Sequence, residues 1–119
     1  MIRVVIESPL AGDTEANIAY AKRCMLDCLR RGEAPYASHL LYAQPGILDD
    51  LKHNERALGI EAGLVWCKSA EKIAVYVDRG ISTGMRLGIT SGRIRGIPIE
   101  IRAIDREVTD VDRAEVDLG

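Results

Sequence analysis

The chain has 119 residues, 47% of them hydrophobic and 29% charged, with a formal net charge of −2. That is one domain's worth of chain, with enough aliphatic side chains to require a core, so wholesale disorder is excluded. No apolar stretch approaches the roughly 20 residues of a membrane span, Arg3 and Glu7 bracket too short an apolar run for a secretory signal, and the near-neutral charge gives no nucleic-acid footprint; the expected location is the cytoplasm.

Ile2 to Ile6 is a short run rich in β-branched residues and reads as a buried strand. It runs into Glu7-Ser8-Pro9-Leu10-Ala11-Gly12-Asp13, a loop punctuated by proline and glycine. Asp13 or Thr14 caps a helix to about Arg31 with an apolar face of Ile18, Ala21, Met25, Cys28 and Leu29, and Gly32 stops it. Cys24 and Cys28 share a face of that helix. With Cys67 the cysteine count is odd and CxxC spacing is absent, so these are small core residues, not a disulfide framework or a metal site. Ala34 to Leu41 reads as a second strand, carrying His39 between Tyr36 and Tyr42. After a turn at Gln44-Pro45-Gly46, Asn54 caps a helix from Glu55 to about Lys68, in which Gly59 and Gly63 allow close backbone approach to the sheet or to another subunit.

Lys72 to Val77 is the clearest strand, apolar as both faces of a covered sheet require. Asp78-Arg79-Gly80-Ile81-Ser82-Thr83-Gly84 leads into a helix from Gly84 to Arg95; Gly96 ends it and Ile97 to Ile101 begins the last firm strand. From Asp105 to Gly119 six acids face two arginines, so this tail carries −4 and leaves +2 on residues 1–104, a balance that suits a small anionic ligand. The tail is flexible or adds a fifth strand through Val108 to Val111. The organisation is an α/β domain over 1–104 followed by an acidic tail over 105–119. Alternating strands and helices imply parallel pairing by right-handed crossovers, with sheet order 2-1-3-4 and helices on both faces. Ligands bind such sheets at the carboxyl ends of the strands, beside the switch point between strands 1 and 3, where the loops 7–13 and 78–84 meet.

The loop at 78–84 passes from a strand end to a helix start, whose unpaired N–H groups point outward with positive partial charge. Its glycines, Ser82 and Thr83 suit a phosphate or a sugar edge, or else form a tight turn with capping hydroxyls. Neither GK[ST] nor GxGxxG is present, which excludes a P-loop and a dinucleotide fingerprint. In the first loop Pro9 adds stiffness and Gly12 permits close approach, for a ligand or as a plain connection. His39 is a ligand contact or a structural strand histidine, and a tyrosine near the sheet's carboxyl edge can stack on a base. Glu61 is a candidate catalytic carboxylate or a solvated helix residue.

Several of these segments together resemble the nucleoside 2-deoxyribosyltransferase-like superfamily: Val4 to Gly12, the helix with Asn17 and Tyr20, the His39 segment, and Asp78 to Gly88. More narrowly, the chain resembles a group of small phage and bacterial proteins with the pattern ESPYAGD…ASHLLY.QPG…ERALGIEAG…D.GIS.GM..G, here Glu7 to Asp13, Ala37 to Tyr42, Gln44 to Gly46, Glu55 to Gly63 and Asp78 to Gly88. The resemblance spans about residues 2–104. It implies a compact flavodoxin-like sheet, an oligomer whose neighbour helps close each pocket, and a nucleoside or nucleotide between the first and third strand-end loops. In the enzymes a glutamate attacks the anomeric carbon, with an aspartate nearby. Laid onto Gly84-Met85-Arg86-Leu87-Gly88, that glutamate position falls on Arg86, which cannot act as a nucleophile but pairs well with phosphate. Asp78 keeps its acidic character, and Glu61 or Glu7 stands in if an acid does the work.

The expectation is therefore a non-catalytic, phage-type protein that sequesters a small nucleotide, ADP-ribose-like or a cyclic nucleotide signal, with no cofactor and no metal. The contacts expected are the backbone and hydroxyls of Ser8, Leu10, Ala11, Gly12, Ser82, Gly84 and Met85 on phosphate or ribose. Arg86 would neutralise charge, Asp78 would accept a ribose hydroxyl, and His39 and Tyr36 would touch the base. The alternative is an N-glycosidase or 2-deoxyribosyltransferase using Asp78 and Glu61.

Overall fold

In the computed structural model the β-branched run at the start of the chain forms β1 (Arg3–Glu7) at the interior of a four-stranded parallel sheet. The structure describes residues 1–117; Leu118 and Gly119, the end of the acidic tail, lie outside them. The other elements are α1 (Thr14–Arg30), β2 (Ala34–Tyr36), α2 (Ser38–Leu41), α3 (His53–Cys67), β3 (Lys72–Tyr76), α4 (Thr83–Ile94), β4 (Ile99–Arg102) and α5 (Asp110–Asp117). The sheet order is β2-β1-β3-β4, with all pairs parallel and Val5 opposite both Tyr36 and Ile73.

The period of two along the strands divides the core. Val4, Ile6, Ala74 and Tyr76 face α1, where Tyr20, Cys24 and Cys28 cover them. Val5, Ile73, Val75 and Val77 face Cys67 of α3, Met85 and Ile89 of α4 and Val116 of α5. Burying each branched aliphatic contributes about 1.5–3 kcal/mol, so both faces carry substantial weight. All three cysteines are buried free thiols, as core residues should be.

Several sequence expectations need correction. The strand expected over Ala34 to Leu41 stops at Tyr36. Its chain then turns at Ala37 into the one-turn helix α2, so His39 sits on a helix. The inward side of α1 is built on Asn17, Tyr20, Ala21, Cys24 and Cys28, while Leu29 is exposed. Helix α3 starts two residues early, with Lys52 and not Asn54 at its N-cap. Its glycines meet α2 and the following loop, since a Cβ on Gly63 would lie 2.9 Å from Ser38 Cβ and one on Gly59 would lie 3.3 Å from Leu48 Cδ1. Among the described residues the tail adds no fifth strand, and its residues 110–117 form α5, anchored by the buried Val116 and Asp112.

A buried ion cluster ties β4 to the α1 side. Arg102, 2% exposed in its side chain, donates 2.7 Å bonds to both Glu33 oxygens and a 2.9 Å bond to Glu100. The Arg102 hydrogen bond holds Glu33 below the usual carboxylate range, and bonds from Arg102 and Lys72 push Glu100 down to about 2.

Candidate functional site

Loop 8–13 leaves the carboxyl end of β1 and is fixed by α1. The Asn17 amide donates to the Leu10 and Ala11 carbonyls at 3.0 and 3.1 Å, and its own oxygen accepts from Arg79 Nε at 2.7 Å. On the other side Ser82 caps α4, its Oγ accepting from Met85 N–H at 3.2 Å. Between these two turns, with α2 and α3 as further walls, lies a cavity of ≈ 100 Å³ that opens onto a groove of ≈ 960 Å³ beneath the segment 43–51. The cavity has several times the room that one ordered water needs.

Its wall is built from Glu7, Ser8, Leu10 and Ala11, from Ser38 and His39 of α2, from Tyr42, Ala43 and Leu48, from Gly59 and Ile60, and from Ser82, Gly84 and Met85. Leu10, Ala11, Ala43, Leu48, Asp50, Glu55 and Arg56 border both cavity and groove, so Asp50, Glu55 and Arg56 are the charged residues at the mouth between them. Arg56 is the one Lys or Arg among the described lining residues.

The expected site residues thus divide. Ser8, Leu10, Ala11, His39, Ser82, Gly84 and Met85 line one cavity, and Gly12 (φ +99°) borders the groove. The remaining ones are engaged elsewhere. Tyr36 packs its ring on Trp66, with centroids 5.5 Å apart, away from the cavity; the aromatic at the cavity is Tyr42, whose hydroxyl accepts from Trp66 Nε1 at 2.9 Å. Asp78 accepts from the Tyr20 hydroxyl at 2.5 Å and from the N–H groups of Ile104 and Asp105 at 2.9 Å each, so its oxygens staple β3 to the exit of β4. Burial pushes its pKa up, but these donors outweigh burial and hold it below the ordinary value. Arg86 turns from the cavity and donates to the Glu115 carbonyl at 3.0 Å, at the end of α5. Glu61 is exposed on α3 and borders no part of the cavity.

Two side chains give the cavity its chemistry. His39 Nε2 and Ser8 Oγ lie 2.8 Å apart and share one hydrogen. Burial lowers the His39 pKa to about 4, so the ring is neutral at pH 7. Among the described residues the Ser8 hydroxyl is the hydrogen-bond partner of the ring. Glu7, the last residue of β1, has its carboxyl against α4, where a Cβ on Gly88 would lie 2.5 Å from Glu7 Cδ. Burial raises its pKa to about 8. Nothing in the local sequence announces that contact, which arises because Glu7 and Gly88 meet only after β1 and α4 pack. Arg56 did carry a signal, since it lies in the quoted segment Glu55 to Gly63.

Among the described residues no group of three or more His, Cys, Asp or Glu is placed to hold a metal ion, and no helix is long and apolar enough to cross a membrane. A search of curated proteins finds no match. Among solved structures, a 2-deoxyribosyltransferase from Bacillus psychrosaccharolyticus is similar with TM-score 0.62 and 14% identity, over 95% of this chain and 81% of that one. A conserved protein from Enterococcus faecalis V583 is similar with TM-score 0.61 and 15% identity, over 98% of this chain and 73% of that one. The likeness is one of fold, a parallel 2-1-3-4 sheet with helices on both faces. The family model described as "Domain of unknown function (DUF7768)" matches residues 2–102, from the start of β1 to the end of β4, and the chain therefore belongs to the DUF7768 family.

Proposed function

We propose that the cavity binds a nucleoside or small nucleotide and keeps it intact. The observation that carries this reading is the charge state of the wall. Residues 84–88, which correspond to the nucleophile segment of the resembling enzymes, contain no acid. Of the three acids that line the cavity, Asp50 and Glu55 stand where it meets the groove, and Glu7, inside, is raised by desolvation to about 8; a neutral carboxyl is a poor nucleophile. Base or sugar would occupy the cavity, the rest of the ligand would lie in the groove, and Arg56 at the mouth would pair with a phosphate. Sequestration of an ADP-ribose-like or cyclic nucleotide signal by a phage-type protein is the biological role this reading fits. Self-association also fits, because Leu41, Leu58, Val65 and Trp66 expose about half of their surface (47%, 55%, 56% and 52%). Self-association is checked by the mass of the protein in solution.

Glu7 also favours a second reading. A carboxyl that holds its proton to about pH 8 is the kind of group that protonates a leaving base, with Asp50 at the mouth as the partnering acid. Incubating the protein with nucleosides and nucleotides and separating the products decides between them. The expected result is intact nucleotide recovered from heat-denatured protein, with binding weakened about tenfold or more by Arg56→Ala. Free base released by the wild type and lost in Asp50→Asn establishes the hydrolase instead.

A further inference from the structure

We infer that residues 43–51 form a lid over the groove, pegged at Leu48, which swings toward the first turns of α1 and closes over a bound ligand by laying Ile47 and Leu51 against Leu10 and Ile18. The inference rests on the reading of this cavity as a nucleotide site.

The segment joins α2 to α3 and is held from that side only. The Tyr42 carbonyl accepts from Gln44 N–H at 2.9 Å and from Leu48 N–H at 3.0 Å, and Ile47 N–H donates to the Gln44 carbonyl at 2.9 Å. The Gln44 side-chain amide donates to the Leu40 carbonyl. Beyond Leu48, Asp49 N–H donates to Glu55 Oε1 at 2.9 Å. Leu51 N–H donates to Asp49 Oδ1 and Lys52 N–H to the Asp49 carbonyl, each at 3.0 Å. All of these partners lie within residues 40–55. Among the described residues no hydrogen bond or ion pair joins 43–51 to loop 8–13 or to α1, although both sides border the same groove of ≈ 960 Å³.

Leu48 is the fixed point. Its side chain sits beside Gly59, where a Cβ would lie 3.3 Å from Leu48 Cδ1. The turn before it, Gln44-Pro45-Gly46-Ile47, takes its bend from proline followed by Gly46 at φ +87°. The turn after it is closed by Asp49. Each turn presents one large aliphatic side chain to solvent at the edge of the groove, Ile47 at 55% and Leu51 at 92% exposure. Leu10 and Ile18, half-buried, stand on the opposite wall.

A single exposed aliphatic is ordinary. Two of them on one segment with only local hydrogen bonds, opposite two more across an open gap, have a place to be buried once the segment moves. Wall closing directly on wall would leave unfilled volume, which close packing disfavours. A nucleotide between them fills that volume, so binding and closing are coupled.

The test uses AMP as the probe. Nitroxide labels are placed on Glu15→Cys, at the start of α1, and Pro45→Cys, at the tip of the first turn; the three native thiols are buried and do not take the label. Pulsed electron resonance then gives the distance between the labels with and without AMP. The expected result is a shift to shorter distance on binding, by more than about 2 Å. In unlabelled protein Leu51→Ser is expected to leave the melting temperature unchanged, because Leu51 touches little in the open form. The same variant is expected to bind AMP about tenfold more weakly, through faster dissociation, because the aliphatic contact forms only on closing. The inference is overturned if AMP binds without changing the distance, or if Leu51→Ser binds AMP as tightly as wild type. Absence of AMP binding instead overturns the nucleotide reading beneath it. The lid is then judged on the free protein, where a second population at shorter distance upholds it and a single population overturns it.

Discussion

Gly88 is the residue whose replacement distinguishes helix preference from site geometry. In an exposed helix interior Gly→Ala gains up to about 1 kcal/mol. At position 88 the new Cβ would stand 2.5 Å from Glu7 Cδ, the far end of a flexible side chain that borders the cavity. Gly88→Ala is therefore expected to push the carboxyl into the cavity and to leave stability unchanged or raised by up to about 1 kcal/mol. Urea unfolding checks the sign; a destabilised variant would show that the carboxyl does not move aside freely. The same residues show how far local sequence reaches. That loops 7–13 and 78–84 share one rim follows from strand order alone. Where a long side chain on that rim points does not, because its partner lies far along the chain. Arg86 finds the Glu115 carbonyl 29 residues away, and Asp78 finds Tyr20 and the Ile104 and Asp105 amides. Arg56, from a helix read for its glycines and for Glu61, stands at the mouth instead.

At the level of elements, α5 changes the meaning of the acidic tail. Thr109 and Asp112 form a reciprocal cap, with Thr109 N–H donating to Asp112 Oδ2 at 2.8 Å and Asp112 N–H donating to Thr109 Oγ1 at 3.2 Å. This is the S/T-x-x-D/E signature of a helix start, present in the sequence but hidden there by the charge count. Arg106 pairs with Asp112, and α4 supplies Arg86 and Arg93 to the last carbonyls of α5, Glu115 and Val116, which suits the negative end of the helix dipole. Val116, 1% exposed, closes the core that also holds Met85. Because Met85 lines the cavity, the tail supports the site from behind. Val116→Ala is expected to cost about 1–3 kcal/mol, read as a lower melting temperature, whereas Val111→Ala on the exposed side, 67% exposed, should change it little. Equal effects would mean that α5 does not dock. The sheet was legible where strands are long and buried; α2 and α5 were not, since short elements are set by caps and tertiary contacts more than by periodicity.

For the whole molecule, the two half-buried titratable groups of the cavity, Glu7 and His39, set a pH window. Glu7 is raised from 4.5 to about 8 and His39 is lowered from 6.5 to about 4. Below pH 4.5 the unfolded chain carries protons on both groups and the folded chain only on Glu7, so stability falls as pH drops toward 4. Between 4.5 and 6.5 the unfolded chain holds its proton on His39 and the folded chain holds one on Glu7; the proton counts match and these groups contribute no slope. Above 6.5 the unfolded chain has released both protons while folded Glu7 retains its own to about 8, so stability falls as pH rises across that interval. One proton corresponds to about 1.4 kcal/mol per pH unit, so the alkaline loss is at most about 2 kcal/mol. The Arg102 cluster acts on the acid side alone, because Glu33 and Glu100 have lowered pKa values and their stabilisation disappears only as pH falls below the usual carboxylate range. Melting temperatures taken from pH 4 to 9 should therefore be highest between 4.5 and 6.5, where the opposite slopes of the two cavity groups cancel. Glu7→Gln should remove the alkaline decline and, with no Glu7 proton to offset His39, let the acid decline begin at about 6.5 instead of 4.5, since its amide is neutral in both folded and unfolded chains. An unchanged alkaline decline in that variant would place the proton on another group and remove the physical basis for a neutral acid in the cavity.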